Sequence, residues 1–344
     1  MNTEIWRDLL GLESVDLVTK WHKKLFDRSL SSTRAHEITA AAKQAHEYFR
    51  NASDSSNVVR PLLTFYGVAS LARATVLLLR PGAGEASLVR GHGLETVDWP
   101  STLSGDLSTA LGALGSLKVR TSGGLFTDFL GQTKNRVCMH IRSQKTDWQL
   151  DYAVPSLGKE LALIELMSRL PDLKGRLIEA GLHSNVAWVN ELTYTHEAGV
   201  LAKVSGAETE GFRAEYEALG YQFTGTSAYL EMTASAETFQ KSGPQFVHSY
   251  VNKTFGSIPG LHVTRLLPGG AELSQLGITY VLAYFLGMLT RYFPTHWVAL
   301  QSGVKGDALW PTIRAAQNYV ELAFPELALE LIQSFLAEER PAAL

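Results

Sequence analysis

Residues 273–290 read LSQLGITYVLAYFLGMLT, eighteen uncharged residues between Glu272 and Arg291. A membrane-crossing helix needs about 20 mostly apolar residues. This stretch falls short of that and carries Ser, Gln, Thr and two Tyr, which favours a buried core helix. A second stretch, RPLLTFYGVASLARATVLLL at 60–79, is apolar nearly all round, as a helix in the centre of a core would be. Pro61 suits its first turn, where a missing N–H costs nothing.

Working outward, the flanks of the 60–79 helix also have helical period. In SVDLVTKWHKKLF, Leu17, Trp21 and Leu25 recur every four residues and Ser14 is placed to cap. In TRAHEITAAAKQAHEYFRNA, Ile38, Ala41, Ala45, Tyr48 and Ala52 form a second stripe, with His36 and His46 off it and expected in solvent. Pro81 and four glycines make residues 81–93 loop. Residues 94–135 are rich in Gly, Ser and Thr, and SGGLF at 122–126 reads as a turn leading into a buried edge. RVCMHIR at 136–142 alternates like a short strand, and 156–173 reads as a helix capped by Ser156 and stopped by Pro171.

From residue 185 the pattern changes. NVAWVNELTYTH, GYQFTGTSAYLEMTAS, FVHSYVNKTF and GLHVTRLL alternate with period two and favour aromatic and β-branched residues. They predict an antiparallel sheet of about four strands. After Pro268 the helical period returns through 272–292 and 306–338. Helices, then strands, then helices indicate an α+β fold. A helical part (1–175) and a part with the sheet and C-terminal helices (176–344) are expected to form one integrated unit.

The chain has 344 residues, 45% hydrophobic, with a formal charge of −3. That charge argues against a surface built wholly for nucleic acid. One cysteine, Cys138, permits neither an internal disulfide nor a cysteine-based zinc site, so a reducing cytoplasm is the expected home. The N-terminus does not read as a signal peptide. Phosphate-loop, dinucleotide, metalloprotease and nucleophile-elbow motifs are absent, and the histidines lack metal-ligand spacing. No cofactor or metal is expected.

Three sets of residues remain as candidates. Arg291 and His296 resemble the arginine–histidine motif of HEPN-type ribonucleases. There a histidine could take the 2′-OH proton while an arginine stabilises phosphorane charge. The motif is loose; Arg176 and His183 match it too, and Pro294 interrupts the spacing. The alternative places Arg291 at the C-terminal carbonyls of an apolar helix. In the second set, His92 stands between glycines in RGHG at 90–93. Arg90, His92, Gly93 and Gly124 could bring side chain and backbone to a ligand. Arg136, Arg142, Lys145 and Trp148 form the third, a basic run beside an aromatic that could hold phosphate and stack a base.

The ordered series RPLLTFYGVASLARATVLLL, GHG at 91–93, GGLF at 123–126, SLGKELALIELMSRLPDL at 156–173 and YVLAYFLGMLTRYFPTHW at 280–297 resembles the YaaC-like protein family of bacteria, over roughly residues 6–300. The matching positions are Pro61, Phe65, Tyr66 and Gly67; His92 and Gly93; Gly124, Leu125 and Phe126; and Arg291, Tyr292 and Trp297. The resemblance implies a soluble cytosolic protein with no established reaction, and it supplies no catalytic residues. Its pattern does not require a histidine at 296. The leading expectation is therefore a non-catalytic protein that binds or assembles with a protein partner, a second copy of itself or a small ligand. The alternative is a metal-independent ribonuclease acting on RNA as a toxin or antiphage effector. No membrane association is expected.

Overall fold

A computed structural model describes residues 2–141, 143, 145–206, 209–226, 229–254 and 258–338. The stretch at 273–290 forms the core of a helix, Gln275–Tyr292, in which every residue from Gln275 to Thr290 is buried. Ser274 caps it, its Oγ accepting the Gly277 N–H at 3.2 Å. The helix Arg60–Leu79 packs against it and against the helices Ser32–Asp54, Leu125–Gln132 and Trp310–Ala337. By length and composition the Arg60–Leu79 helix could cross a membrane, but most of it is buried inside the protein. Phe65, Phe126, Phe129, Tyr280, Phe285 and Phe324 fill the centre of this helical core.

Eleven strands lie among the described residues. A small sheet has the order β1 (His92–Val97), β2 (Lys118–Gly124), β5 (Glu160–Ala162), and β3 (Arg136–Met139) pairs with β4 (Trp148–Asp151). Six strands form the main antiparallel sheet: β6 (Val186–Thr195), β7 (Gly199–Ser205), β8 (Gln222–Thr226), β9 (Tyr229–Ala234), β10 (Gln245–Thr254) and β11 (Ile258–Thr264), in the order β10-β11-β6-β7-β9-β8. The α+β class is as the sequence indicates. The chain interleaves its two parts rather than dividing at 175. The helical core takes residues from Trp6 to Leu177 and again from Tyr250 to Ile332. A second core, under the main sheet, combines Val137 and Met139 with residues from Ala187 to Val263.

A polar clamp ties the sheet to the bundle. Glu330 on the last helix accepts the Tyr250 hydroxyl at 2.6 Å and lies 3.0 Å from His140 Nε2. The Gln275 side chain accepts the His248 N–H and donates to the His248 carbonyl and the Tyr319 oxygen. Asp172 accepts three successive N–H groups of β10, from Tyr250, Val251 and Asn252. Buried polar groups are satisfied this way at low cost only when partners are fixed.

Several local expectations change. Residues 156–173 are not one helix: Glu160–Ala162 pairs with Lys118–Arg120, where Glu160 meets both cations, and a helix runs only from Leu163 to Met167. In the Val15–Phe26 helix, capped by Ser14 as expected, Val18 and His22 are buried and Leu17 is exposed. Trp21 and Leu25 of the expected stripe pack against the core, and His22 extends the buried face by packing its ring on Phe26 and facing Arg34. His46 is not simply solvated: it pairs with Glu13 at 2.8 Å and stacks on Trp6 at 4.8 Å.

Candidate functional site

The second candidate set centres on His92, and of the first set only the charge of Arg291 acts there. The RGHG segment does not end in loop; His92 opens β1 and pairs with Gly124 of β2. Gly93 (φ +79°) and Gly124 (φ +153°) allow this close approach. A Cβ on Gly124 would lie 2.4 Å from the Gly93 nitrogen, and one on Gly93 would lie 2.6 Å from the Phe126 nitrogen. The Leu125 N–H donates to the Gly91 carbonyl at 3.1 Å. These glycines therefore seat the histidine against the following helix.

The half-buried imidazole sits between the two apolar helices. Its ring lies 5.0 Å from Phe65 and 6.0 Å from Tyr284, both edge-on. The Tyr280 hydroxyl donates to the His92 carbonyl at 3.3 Å. Among the described residues nothing hydrogen-bonds the imidazole nitrogens. Burial, then the positive charges of Arg291 and Arg73, hold its pKa below the ordinary histidine value. Burial, with Tyr292 and Glu95 nearby, pushes the Tyr284 phenol up to about 12.

The charge of Arg291 thus reaches His92. Arg291 Nη1 donates to the Tyr66 hydroxyl at 3.0 Å, and its guanidinium lies over the Tyr292 ring. Arg73 stands seven residues after Tyr66 on the same helix, and Arg291 seven after Tyr284, so each pair shares a helix face. Arg73 Nη1 donates to Glu85 at 2.9 Å. Arg90 is exposed on the loop before His92. Sequence reasoning missed Tyr66 as a polar contact, and it missed Arg73, Glu85 and Tyr284. The available signal was one: Arg73 is the lone charge inside an otherwise apolar helix.

His296 lies apart from this arrangement. It sits on the next helix, Pro294–Gln301, bent 104° from the Gln275–Tyr292 helix. Its Nε2 faces the Leu103 carbonyl at 3.1 Å, and its ring lies 5.9 Å from Phe293. Arg291 and His296 are directed to different partners.

The basic run is dispersed. Arg136 is buried; it donates to Asp151, Gln149 and Glu338 and lies over the Phe335 ring, so it is not presented to a phosphate. Arg142 lies outside the described residues. Lys145 is exposed. Trp148 packs between Tyr194 and Phe239 beside a groove of about 490 Å³, where Asp147 is the one charged lining residue among the described residues. The lone Cys138 is buried, and burial pushes its thiol up to about 12, leaving it unreactive. The His140–Glu330–Tyr250 clamp holds acid–base groups, but His140 and Tyr250 are almost wholly enclosed. Among the described residues no three His, Cys, Asp or Glu side chains gather as metal ligands would.

Comparison with known proteins finds one family. No curated protein and no solved structure matches the chain. The model of the YaaC-like protein family matches residues 13–332, which takes in both apolar helices, the His92 strand and the whole main sheet. The chain belongs to the YaaC-like protein family.

Proposed function

We propose that this protein binds a small anionic ligand at His92, without chemistry of its own, in the cytoplasm. The observation that carries the reading is the company of the imidazole. A half-buried ring with no hydrogen-bond partner among the described residues stands between Phe65 and Tyr284 and within the field of Arg291 and Arg73. A neutral imidazole can donate or accept one hydrogen bond, and it does not compete with the two guanidinium groups for an anion. Apolar walls with a few convergent polar groups are what a small-molecule site provides.

The test is an inventory of small molecules released from the gently purified, untagged protein, by mass spectrometry. An anionic compound should leave with wild type and be absent from His92→Ala and Arg291→Ala. The same compound, at the same stoichiometry, in all three proteins would sink the assignment. Steady turnover of that compound by wild type would replace binding with catalysis.

A further inference from the structure

We infer that the groove beside Trp148 binds a small organic cation of the methylated-ammonium class. The groove shares no lining residue with the His92 site, so the inference stands apart from the reading proposed above.

One cavity brings the recognising groups together. Asp147, Trp148 and Tyr194 line the same groove of about 490 Å³, where the start of β4 meets the end of β6. Ile141 and Leu192 add aliphatic surface to it. That volume lies in the range of small-molecule sites, about 300–1,000 Å³.

The aromatic part of the lining is fixed in advance. Phe239, fully buried and outside the lining, packs 5.4 Å from the Trp148 ring and 5.3 Å from the Tyr194 ring. The two lining rings are 5.5 Å apart, and both stay partly exposed. The Tyr194 hydroxyl accepts from Gln240 at 3.1 Å. Adjacent ring faces of this kind carry negative potential and attract a cation.

The charge beside the rings has the matching sign. The Asp147 N–H donates to the Met139 carbonyl at 3.0 Å, and its Oδ1 accepts the Ile141 N–H at 3.0 Å. Main chain therefore sets the exposed carboxylate at the groove. A carboxylate has about four lone-pair sites, so a cation can approach beside that bond. Lys145, two residues earlier, is exposed and is not part of the lining.

The shortage of acceptors selects methylated nitrogen. A primary ammonium brings three N–H donors, and each needs a partner once water leaves. Beyond Asp147, the lining side chains offer the hydroxyls of Thr193, Thr195 and Tyr194. Thr195 already accepts the Ala198 N–H at 2.9 Å, and Tyr194 already accepts from Gln240. A trimethylammonium group has no N–H to satisfy and presents methyl groups to the rings and aliphatic side chains.

The experiment is calorimetric titration of the full chain, at fixed ionic strength, with choline, ethanolamine and 3,3-dimethyl-1-butanol, the neutral carbon isostere of choline. Wild type should bind choline most tightly. The alcohol should bind about 3-fold or more weakly, the least that a lost cation–π contact and a lost exposed ion pair amount to. Trp148→Leu keeps apolar bulk but removes the π face, and should weaken choline about 2- to 30-fold. Asp147→Asn keeps an oxygen for the Ile141 N–H and should weaken choline about 1.5- to 5-fold. Circular dichroism melts check that both variants fold; if Trp148→Leu does not, Asp147→Asn decides. Equal affinity for choline and the alcohol, or unchanged choline affinity in either folded variant, would overturn the cation site. Ethanolamine binding as tightly as choline would overturn the assignment of methylated nitrogen. Failure of wild type to bind choline would overturn the inference and leave the His92 reading untouched.

Discussion

Gly287→Ala tests whether the two apolar helices cross as closely as the site requires. A Cβ at 287 would sit 2.7 Å from Phe65 Cβ, 3.1 Å from its Cγ and 3.3 Å from its Cδ1. The nearest atom is a Cβ, fixed to the helix backbone, so no side-chain rotation relieves the contact. Overpacking of this kind costs about 1–3 kcal/mol. Alanine returns about 0.8–1.0 kcal/mol of helix propensity over glycine, leaving a net loss of about 1 kcal/mol. Gly131, exposed in the Leu125–Gln132 helix, is the control, because a Cβ there would meet nothing within 4 Å. There alanine should gain about 0.5–1 kcal/mol. Urea unfolding of both variants should separate them by about 2 kcal/mol with unchanged slope. Because Phe65 touches the His92 ring at 5.0 Å, the Gly287 variant should also shift the His92 imidazole resonances. Equal stability of the two variants would refute the close crossing.

The pKa of His92, read by NMR titration, should lie below the usual 6.5 and rise in Arg291→Ala; a fall or no change would remove Arg291 from its surroundings. Arg60→Ala should cost about 3 kcal/mol in urea unfolding, because it strands the buried Glu321 carboxylate with Thr64 and Gln317 as its remaining donors among the described residues. Arg60→Met with Glu321→Met should recover most of that loss, and a double variant no better than the single would contradict this account. Burial lowers the pKa of His262 to about 4, so the folded state refuses a proton that the unfolded chain accepts at about 6.5. Its contribution to stability is therefore full above about pH 6.5 and falls as the pH drops toward 4, by about 2–3 kcal/mol at pH 4.5. Comparing wild type with His262→Gln at pH 7.5 and 4.5 checks it: the variant should lose less on acidification.

The helices at 60–79 and 273–290 were legible because an all-round apolar run of that length has one economical solution, burial among other helices. The strands of the main sheet were legible where period two is strong, as in 185–196 and 246–255. β7, Gly199–Ser205, was missed although Val200, Ala202 and Val204 alternate as its buried face, because Leu, Ala and Lys in so short a run favour helix as readily as strand. Residues 160–162 read as helix because Leu161, Leu163 and Leu166 fit either period; only pairing with Lys118–Arg120 decides for strand. His92 and Arg291 were each visible as candidates. That the charge of one would act on the other was not, since they stand far apart in the chain and no local pattern encodes which helix face turns toward which strand.

The partnership between the Arg60–Leu79 and Gln275–Tyr292 helices also bears on how the chain is made. During synthesis the first helix emerges just after the Ser32–Asp54 helix, its chief neighbour, but long before the Gln275–Tyr292 helix. At about 5–20 residues per second, the roughly 200 residues between them take about 10–40 s to appear. For that interval the face of this water-averse segment that later packs on the Gln275–Tyr292 helix lacks its permanent cover. The nascent chain must shelter it against the Ser32–Asp54 helix, already available beside it, or depend on a chaperone until the ribosome reaches residue 292.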